Sequence, residues 1–416
     1  MVRTLLRLLL LLLLGAGCNG ETSGTPDVGA PDGPQTTPDS RAGDGPGPSV
    51  DQAVVVDATP VPDGPKMPAH WDVVTGATVE RVDHTATRLA DGRVLIVGGW
   101  DRVNNVTTRH SDVYLYSPKP EPGAVVDGAK LAGPREGHSA SLLPNGRVLV
   151  VGGHASPGSP LATTAIYDPK TDAWSAGPSL PGGVSSHVAV TLSNGDVLIV
   201  GGHDGVKPLA GVSIYQAAQG SWKLLGVTLS EKRAGHTATL LATGKVLIAG
   251  GYDSLQQAYL DSLELYDPSG NTLKPLPTKL KSPRSAHSAT LLKDGTVLLV
   301  GGVCGLSCTI TDDELYDPAT GTTKAVSHAG DPPVSHAAVQ LLGGRVLITG
   351  DTAKSGAVKA VAYDPSGGGA WDMLPDMNHG RHQHTATLLA DGSVLVVGGK
   401  TGSWSPITKE LERFYP

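Results

Sequence analysis

Residues 84–99 read HTATRLADGRVLIVGG, from His84 to Gly99. The stretch has the pattern of a β-hairpin. A first strand carries His84, Ala86 and Leu89. Asp91-Gly92 is a turn pair suited to a type I′ turn. Val94-Leu95-Ile96-Val97 is an apolar, largely β-branched second strand, and Gly98-Gly99 stops it. An apolar run without alternation needs cover on both faces. A lone hairpin cannot provide that, so it requires copies of itself on either side.

The copies are present. The stretch begins again at His138, His187, His236, His287, His336 and His384, in steps of 54, 49, 49, 51, 49 and 48 residues. Each copy has Ala two residues after the His and Val-Leu opening the second strand. Six copies end in Gly-Gly; the sixth ends in Gly350-Asp351. A third strand ending in Tyr follows each hairpin, as at Tyr116, Tyr167 and Tyr215. A fourth is marked by Trp174, Trp222 and Trp371, and expected near Lys130, Thr272 and Thr323 elsewhere. The repeat region opens on His70–Val74, which reads as a fourth strand. It closes on Glu410–Pro416, which reads as a third. The two ends together complete one blade, which removes the open sheet edge. The expected fold is therefore all-β: a seven-bladed propeller with four antiparallel strands per blade, closed by strands from both ends.

The rest of the chain fits this division. Its 416 residues include 55 Gly and 32 Pro, as many short strands and tight turns require, and its net charge of −7 gives no nucleic-acid footprint. Residues 1–18 carry Arg3 and Arg7, a Leu run from Leu8 to Leu14, and Gly-Ala-Gly-Cys. This reads as a secretion signal, since the apolar run is too short to span a bilayer. Residues 19–69 lack Phe, and Trp and Tyr are absent too. Residues 19–68 hold eight acidic residues against Arg41 and Lys66. Such a stretch cannot bury enough apolar surface to fold and reads as a disordered tether. Residues 70–416 form the repeat domain.

Two resemblances follow from these residues. A period near fifty, Gly-Gly after an apolar strand, and spaced Tyr and Trp resemble the kelch repeat. Ala16-Gly17-Cys18 resembles the lipobox of bacterial lipoproteins, which implies lipidation at Cys18 and an envelope location, periplasmic or at the outer membrane and cell surface. The resemblances imply a membrane-tethered, monomeric binding module for a protein or carbohydrate. The competing class is a propeller enzyme acting on sugars, similar to galactose oxidase or a sugar mutarotase. The copper site of galactose oxidase needs two Tyr, two His and a Cys joined to a Tyr, a pattern not found here. Mutarotase-like propellers have six blades, against seven copies here. No cofactor is expected, and no catalytic group is assigned.

Candidate site residues are few. Arg recurs three residues before the His at Arg81, Arg135, Arg233, Arg284 and Arg381, with Val184 and Pro333 in the other two copies. These arginines should lie near one mouth of the channel. There they either meet an anionic, carbohydrate or protein ligand or pair across blades with acids such as Glu264 or Glu314. The seven repeat His residues read as structural, each bonded to backbone within its own blade rather than forming a metal ring; His382 lies outside that pattern. Cys304 and Cys308 read as a local disulfide in an oxidising compartment, with two free thiols as the alternative. A metal site would need further ligands nearby. The loops between second and third strands, such as Trp100–Asp112 and Tyr252–Asp261, vary most and are the expected binding elements.

Overall fold

A computed structural model describes residues 68–104, 106–305, 308–328, 333–350, 360–401 and 407–416. The expected signal, the lipidation site Cys18 and the tether up to residue 67 lie outside the described residues.

Seven four-stranded antiparallel sheets form the blades. In the first, the order from inside outward is Thr85–Arg88, Val94–Val97, Val113–Ser117 and Ala124–Asp127. The innermost strands of neighbouring blades touch in sequence, and Thr85–Arg88 touches Thr385–Leu388 of the seventh, so the ring closes. The seventh blade takes three strands from the C-terminal end of the chain (Thr385–Leu388, Val394–Val397 and Glu410–Tyr415) and its outermost, His70–Thr78, from the start of the domain. Trp71 pairs with Phe414 in that register, their rings 4.9 Å apart.

The apolar second strands show why a ring is needed. Val94 and Ile96 pack with Leu395, Val397 and Leu411 of the seventh blade. Leu95 and Val97, pointing the other way, pack with Val148, Val150 and Tyr167 of the second. Each such strand is therefore covered on both faces, and one apolar cluster fills each junction. The Tyr closing the third strand is buried in six blades, and Phe414 takes its place in the seventh. Where the fourth strand carries Trp, the two rings meet across the pair, as in Tyr167 with Trp174.

Two local expectations are corrected. The Asp91-Gly92 turn is not type I′: only Gly92 has positive φ, at 87°. Gly92 N–H donates to the Leu89 carbonyl, and Leu89 N–H to the Arg93 carbonyl, giving a three-residue loop with a left-handed glycine. Asp91 instead accepts a hydrogen bond from Arg93 N–H through its carboxylate. Asn145, Asn194, Asp294 and Asp391 act likewise on the residue two further on. In the first blade the fourth strand is Ala124–Asp127, upstream of Lys130, because Val125 and Val126 are the residues that pair with Tyr116 and Leu115.

Candidate functional site

The channel end where the first strands begin is built from three repeating bonds. The first is carried by histidine. His138 Nε2 lies 3.0 Å from Thr85 Oγ1 of the preceding blade, and His187, His287, His336 and His84 meet Ser139, Thr237, Ser288 and Thr385 in the same way. The partner is thus a neighbouring blade's hydroxyl, not backbone of the same blade, because the residue after each His is usually Ser or Thr facing the next His. Ala337 breaks the pattern, and Thr349, opposite it on the second strand, serves His384 instead at 2.8 Å. Val188 breaks it too, and its opposite residue is Val200. His236 then meets no hydroxyl, and the Val200 backbone is the polar group left facing it. Burial is the main cause holding these rings neutral: His84, His236 and His336 are pushed down to about 3 and His187 to about 4.

The second bond is backbone. Gly99 N–H donates to the carbonyl of Arg135 in the next blade, and Gly153, Gly202, Gly251, Gly302 and Gly399 repeat this around the ring, the last to Arg81. The preceding glycine permits the approach. Gly98 has φ +61°, and a Cβ there would stand 2.4 Å from the Arg135 carbonyl oxygen.

The third bond places the five candidate arginines. Arg81, Arg135, Arg233, Arg284 and Arg381 are all buried, at most 6 % exposed. Each donates from Nη1 to the carbonyl of the first glycine of its own Gly-Gly, 17 residues on. Arg233 also binds Glu264 and Arg284 binds Glu314, both at 2.7 Å, and Arg381 binds Glu412. These pairs lie within one blade, so the expected inter-blade pairing is corrected. Arg81 has Tyr114 at the equivalent register position, its guanidinium 4.6 Å from the ring centroid. An open mouth of five ligand-binding arginines is therefore not what the chain builds: burial turns four of them into braces between the entry loop and the third strand. Arg135 alone has neither a carboxylate nor a ring opposite.

Above this layer the structure gathers residues that the repeat pattern did not single out. The loop of the first blade forms a hairpin, Trp100–Val103 with Val106–Arg109. Trp100 Nε1 donates to Asp83 at 2.8 Å, and Lys400 Nζ sits 5.7 Å from the Trp100 ring centroid. Arg109 pairs with Glu136 at 2.9 Å. Glu136 exchanges backbone hydrogen bonds with His154, whose Nε2 lies 3.1 Å from Ser185 Oγ. Burial, then repulsion from Asp83, pushes the Glu136 carboxyl up to about 7, and Arg109 opposes the shift. His382 bridges to Lys400 through backbone at the same level. Trp100, His154 and Lys400 stand just after Gly-Gly, Glu136 and His382 two residues before the repeat His, and Arg109 at the end of the loop hairpin. No periodic signal marks them, because they differ from blade to blade.

The disulfide reading has a direct counterpart: Cys304 and Cys308 are joined, their Cα atoms 5.5 Å apart. Among the described residues no group of three or more His, Cys, Asp or Glu is arranged to hold a metal ion, and no described helix is long and apolar enough to cross a membrane.

The sequence matches the model of the KLHDC2/KLHL20/DRC7 Kelch-repeats domain over residues 83–302 and 186–399. No curated protein matches it. Among solved structures it is similar to a fungal alcohol oxidase of the AA5 family in complex with copper. The TM-score is 0.66 at 16% identity, covering 84% of this chain and 76% of that one. That likeness concerns the fold, which 813 solved chains share, so it does not select a function. A copper site with a Tyr-linked Cys does not fit the residues present, since the two described cysteines are bonded to each other.

Proposed function

The chain belongs to the KLHDC2/KLHL20/DRC7 Kelch-repeats domain family, and from that premise we propose that it is a ligand-binding propeller of a bacterial envelope, tethered by lipid at Cys18, whose ligand is a protein docking on the loops between second and third strands. The carrying observation is that four of the eight large apolar side chains left exposed among the described residues stand on these loops. Val103 and Val106 flank the tip of the first blade's loop hairpin at 50 % and 64 % exposure. Val206 (80 %) and Leu255 (57 %) stand on the corresponding loops of the third and fourth. All four leave the same end of the blades, around the charged and aromatic group of Trp100, Arg109, Glu136, His154 and Lys400. Apolar tips around a polar, partly buried centre suit a protein surface better than a sugar.

The test is capture of envelope proteins by the purified chain, alongside a glycan array. Val103→Asp with Val106→Asp, and Val206→Asp with Leu255→Asp, are expected to reduce capture of a given protein at least about tenfold. Met373→Asp, on an outermost strand, should leave capture intact. Equal capture by all variants, or a glycan hit indifferent to them, would overturn the reading. Cys18→Ala should release the chain from membranes; continued partition there would remove the tether.

A further inference from the structure

Three blades contain an internal carboxylate site. Glu264, Glu314 and Glu412 occupy one register position, opposite Ile248, Leu299 and Val396. Each carboxylate accepts from an arginine Nη2 and from backbone N–H on the loop before that arginine, one N–H at Glu264 and two at Glu314 and Glu412. Glu314 accepts from Arg284, Lys281 N–H and Ser282 N–H. Glu412 accepts from Arg381, Asn378 N–H and His379 N–H. Glu264 accepts from Arg233 and Ser230 N–H. The donors stand three and two residues before the arginine. In the blades lacking the arginine, at Val184 and Pro333, the position holds Ser213 and Val361, and no carboxylate is needed.

The second blade keeps the donors and lacks the acceptor. Its position, opposite Val150, is Ala165. Arg135 holds the common pose: Nη1 donates to Gly152 O at 3.0 Å and Thr163 O at 3.5 Å, as Arg233 does to Gly250 O and Ser262 O. Its Nη2 makes no hydrogen bond among the described residues, where Nη2 of Arg233, Arg284 and Arg381 each binds a glutamate, and the side chain is only 6 % exposed. Ala132 and Gly133, three and two residues before it, have no backbone partner for their N–H groups. A Cβ built on Gly133 would meet nothing within 4 Å. Ala165 is half-buried where the three glutamates are fully buried, so solvent reaches the spot.

We infer that the second blade holds an open carboxylate cradle, in which Arg135 Nη2 and the N–H groups of Ala132 and Gly133 bind a small carboxylate of about acetate size. The size follows from chemistry: glutamate exceeds alanine by one CH2 and one carboxylate. A buried guanidinium without a counter-ion is costly, and a bound anion relieves the cost. Burial alone pushes Arg135 down to about 10, with no acid opposing it, unlike Arg233 and Arg381. The cradle is independent of the loop face proposed for protein binding.

The test is thermal unfolding of the full chain in sodium acetate against sodium chloride at equal ionic strength. Acetate is expected to raise Tm saturably, by about 3 °C at saturation. Ala165→Glu supplies the missing acceptor from within, so it should raise Tm in chloride and abolish the acetate response. Arg135→Met should abolish the response without the rise, and it decides the matter should Ala165→Glu not fold. An acetate response absent from the native chain, or equal in native chain and Arg135→Met, would overturn the inference.

Discussion

His84 of the first blade and Thr385 of the seventh, 301 positions apart, share a 3.0 Å hydrogen bond across the junction where the ring closes. Both are buried. The bond is one of six of its kind, and burial holds its imidazole neutral.

Acid should therefore unfold the ring through its histidines. Burial holds His84, His236 and His336 at about 3 and His187 at about 4, against about 6.5 in the unfolded chain. Between those values the unfolded chain binds protons that the folded one excludes. Stability is then full above about pH 6.5 and falls as pH drops, by up to about 1.4 kcal/mol per pH unit for each such histidine. Urea midpoints at pH 7.5, 6 and 5 should decline steeply. A flat series would contradict neutral, buried imidazoles.

The gap in the histidine ring can be filled. Val188→Thr puts a hydroxyl opposite His236, as Thr237 provides for His287. A gain of about 0.5–1.5 kcal/mol is expected. The reverse change, Thr237→Val, should cost a similar amount by leaving His287 unpaired. Chemical denaturation of both variants checks the pair; a loss from each would show that the hydroxyl is not what the site lacks.

Arg284 and Glu314 are both fully buried. Glu314→Ala strands a buried cation and should cost about 3–5 kcal/mol, whereas Arg284→Met with Glu314→Leu should recover most of it. The solvent-exposed pair Arg147–Asp168 serves as contrast: Asp168→Asn should leave the urea midpoint close to that of the unaltered chain. Equal losses at the two pairs would mean that burial is not the cause.

Closure rests on the strand Glu410–Tyr415, which holds the fully buried Leu411 and Phe414. Phe414→Ala should cost about 3–5 kcal/mol. Deleting Leu411–Pro416 exposes the edge of Val394–Val397 and separates His70–Thr78 from its blade, so the whole domain should lose cooperativity. A truncated chain melting like the full one would show that the ring does not depend on this junction.

Much of the architecture was legible because it repeats. Val94–Val97 and its six copies announce strands covered on both faces, and a step near fifty residues fixes the blades. The ends could be assigned to one blade because His70–Val74 lacks a third strand and Glu410–Pro416 lacks a fourth. What differs between copies was not legible. Glu136, His154 and Trp100 belong to no pattern, so only the folded chain shows them together. The five arginines were legible in part: their recurrence was visible and Glu264 and Glu314 were named as acids they could pair with, but that each glutamate sits in the arginine's own blade, about thirty residues further on, is set by a register position that strand pairing alone defines.

The chain's own order of residues thus determined the number of blades, their strands, the shared closing blade and the turn positions, since these depend on local pattern and on apolar runs that must be covered. Tertiary structure decided which charges are spent and which remain. Whether an arginine braces a blade or waits for a ligand depends on the one side chain across the sheet from it. Glu314 satisfies Arg284 and Ala165 does not satisfy Arg135, because electrostatic pairing inside a protein acts over a few ångströms of space, whatever the distance along the chain.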